Sequence, residues 1–455
     1  MPTGAQVRVV SEAERVNRGI LRAAASVSAA GVIVKVVAMC KEVTVAGIYG
    51  RSDAMDAFLA AALLPNLLVN LISESMNQAL VPTLVRVREH EGRERAQQLL
   101  SSSMVWMTTL LVGASLAIAP ATRWFFPLMA SHFAPAKLEL SIHLFYALLP
   151  IVLITGIATN CTAVLSTMDR FALPALAPMA ISISIIIGAV TLSGSCGIWA
   201  VVDATIVGSL IHALLVARMM HTHGYRFEIR WYGMTEAART VGRQYGPVLL
   251  SGVVASGGLL VDQSMAAMLP AGSVSALVYA NRFVGVVLTL LAGAISTAIV
   301  PYFSRMVAHH DWAGCRQTLR AWLRMTAMVS VPIGVLLIVC AQPLVRIAFQ
   351  RGAFHAHDTA VVARVLAMYA IQIPFFVTSR VFYRFLIAML RTDVVLYCGM
   401  INLGLDVVLN LLLMRWYGVA GIALATSLWT VSTFFFLGYW ARKSLQKAEA
   451  QESFS

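Results

Sequence analysis

Charged residues are scarce in this chain. Only 12% of its 455 residues are Asp, Glu, Lys or Arg, whereas 59% are hydrophobic, and soluble globular chains carry roughly 25% charged residues. The mean hydropathy is +0.78. This composition excludes an ordinary soluble domain and indicates a protein that crosses a membrane many times.

Motifs for catalysis, nucleotide binding and metal binding are also missing. The 6 cysteines are scattered without a CxxC pair, so they predict neither a disulfide framework nor a zinc site. The sequence has no Walker A, GxSxG or metalloprotease pattern. We therefore predict that the protein is not an enzyme, and that any driving force comes from an ion gradient or the membrane potential.

Long apolar runs fill the chain instead. A membrane-spanning helix needs about 20 apolar residues, and such runs predict an all-α polytopic protein with about twelve spans. Alternating segments typical of a β-barrel are not visible. The predicted spans are 28–49, 54–85, 98–120, 140–167, 172–195, 197–219, 244–269, 274–300, 321–342, 360–389, 393–414 and 419–441.

Positive charge is distributed by side of the membrane. The net charge of +13 comes from Lys and Arg residues that lie mostly between apolar runs, and the loops after even-numbered spans are richer in arginine. The positive-inside rule then places both termini in the cytoplasm. This pattern argues against a nucleic-acid partner. The first 27 residues lack the short apolar core and cleavage site of a signal peptide, so the first span is expected to remain as an anchor.

A faint internal repeat predicts two halves. The segment NQALVPTLVRV at 77–87 aligns with STAIVPYFSRM at 296–306, as in transporters built from parallel repeats. Alternatively, VP followed by Arg is only a common helix exit. The predicted division is a cytoplasmic segment 1–27, a six-helix lobe 28–219, a cytoplasmic linker 220–243, a six-helix lobe 244–441 and a cytoplasmic tail 442–455.

Several charges lie inside predicted spans, where each costs at least ~2.5 to 3.5 kcal/mol. Cations outnumber carboxylates among them, which predicts a hydrated cationic cavity suited to an anionic head group such as phosphate. Alternatively, each charge is neutralised by a neighbour, for example Lys35 by Glu74. The polar residues concerned are Lys35, Lys41 and Glu42 in span one, Asn66, Asn70, Glu74 and Gln78 in span two, Arg282 in span eight, and Arg380 and Arg384 in span ten.

A second constellation in the other half carries negative charge. Asp262 lies within span seven, and Asn402, Asp406 and Asn410 share one face of span eleven. Carboxylate and amide oxygens suit a small hard cation such as sodium, or a proton relay. Helix packing alone would explain the two asparagines but not the aspartates.

Three segments carry a resemblance to a known family. DAFLAAALLPNLL at 56–68, ESMNQALVP at 74–82 and GSVSALVYANRF at 272–283 resemble the lipid II flippases of the MurJ/MviN family, within the multidrug/oligosaccharidyl-lipid/polysaccharide exporter superfamily. The resemblance implies two six-helix lobes in the bacterial inner membrane. It also implies translocation of an undecaprenyl-pyrophosphate-linked peptidoglycan precursor by alternating access, with membrane lipids and envelope-synthesis enzymes as partners.

The resemblance also implies roles for individual residues. Substrate-binding roles fall on Lys35, Lys41 and Arg282 as basic positions, on Asp56 and Glu74 as acidic positions, and on Asn70, which stands where the family usually has an arginine. Cation-binding roles fall on Asp262, Asn402 and Asp406, with Thr426 as a weaker candidate.

The chain also departs from the family pattern. It ends soon after span twelve, whereas typical members carry two further helices that form a groove for the lipid tail. A flippase for another undecaprenyl-linked glycan, such as an exopolysaccharide or O-antigen unit, would keep the cationic cavity and remains an alternative. Two further alternatives are a cation-driven drug exporter and a non-transporting scaffold for envelope-synthesis enzymes.

Overall fold

The computed structural model describes residues 30–129, 133–166, 172–226, 228–389 and 391–452. All regular secondary structure within these ranges is helical. The predicted N-terminal segment 1–27, residues 28–29 and 167 of the predicted spans, and residues 453–455 of the tail lie outside them.

The helices follow one another with short connections. They are α1 (30–49), α2 (Asp53–Leu68), a π-helical segment (Val69–Glu74), α3 (Ser75–His90), α4 (Arg93–Met129), α5 (Pro135–Ser166), α6 (Ala172–Leu176), α7 (Met179–Cys196), α8 (Trp199–Thr222), α9 (Glu236–Ala267), α10 (Ser273–Ala308), α11 (Trp312–Val339), α12 (Ala341–Phe349), α13 (Ala356–Ala370), α14 (Gln372–Ala388), α15 (Thr392–Tyr417) and α16 (Val419–Glu452).

The predicted all-α membrane fold is confirmed. Among the described residues, 11 helical stretches are long and apolar enough to cross a membrane, and they correspond to predicted spans two to twelve. The first predicted span corresponds to α1, which carries three charges. Several helices extend beyond the predicted spans, as α9 begins at Glu236 and α16 ends at Glu452.

One short helix, α12, was not predicted. The sequence indicates only the end of a span at 342, but α11 ends at Val339 and a new helix begins at Ala341. In α12, Val345 and Phe349 are fully buried whereas Ile347 is 74% exposed. This amphipathic pattern occupies too few residues to be distinguished from the end of the preceding apolar run.

The chain divides into two compact units that are not continuous in sequence. Unit 1 comprises residues 1–45, 61–122 and 142–252, and unit 2 comprises 46–60, 123–141 and 253–455. The predicted lobes were single stretches, whereas unit 2 includes the connection between α1 and α2 and the connection between α4 and α5.

Unit 1 has a core of large apolar side chains from α3, α4, α5, α8 and α9. Its α8–α9 connection is fixed to α4. Arg93 Nη2 donates to the His223 carbonyl over 2.6 Å, and Gln97 exchanges hydrogen bonds with the Arg226 backbone over 2.7 and 3.1 Å. The rings of Trp106 and Trp231 lie 5.7 Å apart. The segment predicted as a linker is therefore packed on the helix surface.

In unit 2 a buried carboxylate fixes the start of α10. Gly272, at φ +81, precedes the helix. The Asp56 carboxylate accepts one hydrogen bond from the backbone N–H of Gly272 over 2.6 Å and another from the backbone N–H of Ser275 over 2.9 Å. An anion at this position satisfies otherwise unpaired N–H groups and complements the positive end of the helix dipole.

The same carboxylate has a buried cation beside it. Lys137 Nζ lies 3.1 Å from Asp56 and 2.7 Å from Asp53, and its ammonium stands 4.1 Å from the centre of the Phe133 ring. Arg51 binds the Gly272 carbonyl and pairs with Asp358 at 3.2 Å. These contacts join loops that follow odd-numbered spans. The predicted topology places all such loops on the same side of the membrane.

We predict that Asp56→Ala destabilises the protein by about 3 to 5 kcal/mol, because it breaks a buried ion pair and leaves two N–H groups without acceptors. Asp53→Ala is the matched control. The Asp53 carboxylate contacts the same Lys137 ammonium, but the Asp53 side chain is 64% exposed, so losing this contact costs about 1 kcal/mol or less. Thermal unfolding of both purified variants in detergent measures the difference. Equal shifts of the unfolding temperature in the two variants would contradict the structural role assigned to Asp56.

Candidate functional site

The charges of α1 differ in their surroundings. Lys35 is exposed, and among the described residues it forms no ion pair, so the alternative pairing with Glu74 is not found. Lys41 Nζ contacts Glu42 over 2.8 Å, and the Glu42 side chain is only 5% exposed. One of the two predicted lysines is therefore matched by a carboxylate, and the other is not.

A polar stripe runs along the next helical stretch. Asn66, Asn70, Glu74 and Gln78 are all exposed. By contrast, 67% of the most apolar part of the helical stretch Asp53–His90 is buried, which is the largest buried share among the described spans. Four polar side chains on one open face are costly in hydrocarbon but suited to water or a polar ligand. The four polar residues that share this face in the sequence are thus all exposed in the structure.

The π-helical segment Val69–Glu74 lies in the middle of this stripe. In an ideal α-helix, positions four apart advance by about 40° at each step, which would spread the stripe around the helix. A π turn contains more residues, so it offsets this drift. The sequence pattern alone gave no signal for the π segment, because the segment continues the apolar run of span two without a Gly or Pro.

The arginines predicted inside the spans of unit 2 lie on two helices, α10 and α14. Arg282 and its neighbour Asn281 are exposed on α10. On α14, Arg380 stands over the rings of Phe376 and Tyr383, at 4.5 and 5.7 Å from their centres. Contact of guanidinium with an aromatic face lowers the cost of burying the charge without using a carboxylate.

Asp56 has other partners than those expected for a substrate-binding residue. Its oxygens are bound by Lys137 and by the start of α10, and the residue is 1% exposed. The contacts fit a structural role, so we leave Asp56 out of the proposed binding set. Asn70, by contrast, lies in the exposed stripe.

The predicted carboxylate site is assembled within unit 2. Asn410 Nδ2 donates to Asp262 Oδ1 over 2.8 Å and to Asp406 Oδ1 over 3.2 Å, and Thr426 Oγ1 donates to Asp262 Oδ2 over 3.1 Å. All four residues are at least nine-tenths buried. The weaker sequence candidate, Thr426, thus contacts one of the aspartates directly. Asn410, which is not among the cation-binding positions that the family resemblance implies, contacts both.

The predicted ligand Asn402 makes other contacts. Its Nδ2 donates to Thr433 Oγ1 over 2.9 Å, and no hydrogen bond joins it to Asp262 or Asp406 in the described part of the chain. The spacing of Asn402, Asp406 and Asn410 placed all three on one face of α15, but it did not determine which asparagine reaches α9.

The oxygens of this cluster suit a hard cation. Asp406 Oδ2 and Asn410 Oδ1 are buried and have no hydrogen-bond partner among the described residues. Two carboxylates that share a donor also need compensation of their charge, by a cation or a proton. Asp262, Asp406, Asn410 and Thr426 therefore offer the oxygen ligands that sodium binds.

Comparison with known proteins identifies the chain's relatives. The family description "Lipid II flippase MurJ" matches residues 45–454. A probable lipid II flippase MurJ of Buchnera aphidicola is 25% identical over 439 residues, which cover 94% of this chain and 86% of the relative. The lipid II flippase MurJ of Burkholderia cenocepacia is 28% identical over 364 residues, covering 77% and 70%.

Solved structures agree on the fold. A structure of a lipid II flippase MurJ superposes with a TM-score of 0.79 at 23% identity, covering 93% of this chain and 89% of the other. A multidrug resistance transporter of the same superfamily gives 0.78 at 12% identity, covering 92% and 95%. Because the family match spans almost all of the chain and the fold agrees, this multi-pass inner-membrane protein belongs to the lipid II flippase MurJ family.

Proposed function

We propose that this chain transports lipid II, the undecaprenyl-pyrophosphate-linked peptidoglycan precursor, from the cytoplasmic to the periplasmic leaflet by alternating access. Membership of the family supports lipid II as the substrate. One structural observation supports binding of its anionic head group. Lys35 lies exposed and without an ion pair among the described residues of unit 1, in the same unit as the polar stripe of α2 and α3.

The chemistry of these groups fits a pyrophosphate head group. An unmatched ammonium binds phosphate oxygens through charge-assisted hydrogen bonds, and the amides of Asn66, Asn70 and Gln78 can bind sugar hydroxyls and peptide groups. We assign Lys35 and Lys41 of unit 1 to the pyrophosphate, and the family resemblance implies Arg282 of unit 2 as a further basic position. Glu74 positions or releases the cationic side chains during transport.

The pairing of Lys41 with Glu42 suggests that these lysines act differently. Lys35 is available to an anion at once, whereas Lys41 must exchange its contact with Glu42 for one with phosphate. Such an exchange lets substrate binding favour one conformation, because a ligand shifts an equilibrium only through its different affinities for the two states.

The buried carboxylates of unit 2 provide a second binding step. We propose that Asp262, Asp406, Asn410 and Thr426 hold a coupling cation, sodium or a proton, and that Asn402 joins them when its contact with Thr433 is exchanged. A bound cation would supply the positive charge that the two aspartates lack. Its binding would stabilise one conformation and so link transport to an ion gradient.

We predict that Lys35→Met abolishes rescue of cells depleted of their own lipid II flippase, at normal membrane abundance. Losing one charge-assisted contact of roughly 1.5 to 3 kcal/mol lowers head-group affinity about ten-fold or more. Lys35→Arg is the matched control, since it keeps the cation, and we expect it to retain rescue.

Two outcomes would contradict this proposal. Rescue by Lys35→Met would show that the exposed charge is not needed for transport. Failure of the unaltered chain to rescue, together with rescue of a strain lacking an exopolysaccharide flippase, would assign the chain to another lipid-linked glycan.

We predict that sodium stabilises the purified protein and that Thr426→Val and Asp406→Asn remove this effect. A ligand that binds only the folded state raises stability by about 2.7 kcal/mol at a concentration about 100 times its Kd. Thermal unfolding in sodium against choline chloride measures the shift.

Ser427→Ala is the control for the hydroxyl on α16. Ser427 is also buried, but its Oγ donates to the Met368 carbonyl over 2.6 Å rather than to an aspartate, so the sodium response should remain. If sodium has no effect on the stability of the unaltered protein while pH has an effect that Asp406→Asn removes, the coupling ion is a proton. If neither ion has an effect, the coupling proposal is wrong.

A further inference from the structure

A basic cavity lies at the opposite end of unit 2 from the Asp56 contacts. It has a volume of about 830 Å³ and is formed by the first turns of α11 and the last turns of α16. Three arginines line it, namely Arg316, Arg320 and Arg324, and they are opposed by the single carboxylate of Glu449. The lining therefore carries excess positive charge.

The arginines form one row along α11. They are spaced four residues apart, so successive side chains stand about 6 Å further along the helix and rotate by only about 40°. All three are exposed. Arg316 Nη2 donates to Glu449 Oε2, whereas Arg320 and Arg324 make no ion pair with any described residue.

The row crosses the edge of the hydrocarbon core. Residues 321–339 of α11 span about 28 Å, close to the ~30 Å thickness of that core. Apolar side chains in this stretch are exposed, including Met328 at 76% and Val339 at 72%. Arg320 thus lies at the level of the phosphate groups, on the side to which the arginine-rich loops assign the cytoplasm.

One buried donor also lacks a partner at this cavity. Trp312 lines it and is 8% exposed, and its indole Nε1 has no hydrogen-bond acceptor among the described residues. Because indole N–H groups usually find an acceptor when buried, this donor favours a ligand that presents oxygen atoms.

We propose that this cavity binds the phosphodiester group of an anionic phospholipid from the cytoplasmic leaflet. Arg320 and Arg324 contact the phosphate oxygens, the indole N–H of Trp312 donates a further hydrogen bond, and the acyl chains lie along the exposed apolar face of α11. Basic pockets between membrane helices on the cytoplasmic side bind lipid head groups in this way. None of the residues that line the cavity is assigned to lipid II or to the coupling cation.

Native mass spectrometry of the full-length protein in detergent tests the site. We expect phosphatidylglycerol to bind and phosphatidylethanolamine, which has no net charge, to bind far less. Arg320→Gln should lower phosphatidylglycerol affinity about ten-fold through loss of a charge-assisted contact. Glu449→Gln should raise the affinity, because it removes the carboxylate that competes for Arg316.

Arg442→Gln is the matched control. Arg442 is exposed near the same end of α16 but does not line the cavity, so its loss should leave binding unchanged. Thermal unfolding of each variant shows that it is folded, and Arg324→Gln replaces Arg320→Gln if the latter is not.

Inorganic phosphate distinguishes the two sources of the anion. We expect millimolar phosphate not to displace phosphatidylglycerol. Displacement by phosphate, with no binding of the lipid at low concentration, would assign the cavity to a free anion and overturn the lipid proposal. Equal binding of phosphatidylglycerol to the unaltered protein, Arg320→Gln and Arg442→Gln would overturn the site itself.

Discussion

A charge within the hydrocarbon region must have a partner, water or a ligand, because the surrounding lipid offers none. This constraint sorts the charged groups of the protein. Asp56 and Lys137 satisfy each other and the start of α10, and Arg380 stacks on aromatic rings. Lys35 and the oxygens of Asp406 and Asn410 are left without such compensation in the described structure. We propose ligands for the sites that contain these uncompensated groups.

The two proposed binding steps of transport use opposite charge. The lysines of α1 in unit 1 suit a pyrophosphate, whereas the aspartates of α9 and α15 in unit 2 suit a small cation. The ammonium of Lys35 and the two aspartates carry charge that no described residue of opposite charge neutralises. Binding can therefore contribute free energy to one conformation, as coupling between a substrate and an ion requires.

The same reasoning distinguishes the surroundings of two buried acidic residues. Asp56 and Asp262 both looked like functional acids in the sequence, and both are buried. Asp56 accepts backbone and ammonium donors at every close contact, which explains its burial without a ligand. Among the described residues, Asp262 is bonded only to the neutral donors Asn410 and Thr426, so its charge is not balanced by a cation there.

The sequence by itself determined the helical membrane fold, and it predicted the sidedness and the residue types of both candidate sites. Span length, the distribution of arginine and the rarity of intramembrane charge are local properties, and each follows from the cost of exposing polar groups to lipid. Only the tertiary structure decided which side chains of different helices contact one another. The spacing along α15 permitted either Asn402 or Asn410 to face the aspartates, and Asn410 reaches Asp262 because of how α15 packs. Likewise, Lys137 lies between the predicted spans 98–120 and 140–167, but it is buried against Asp56, 81 residues away. Such contacts join residues distant in sequence, and no periodicity within one helix specifies them.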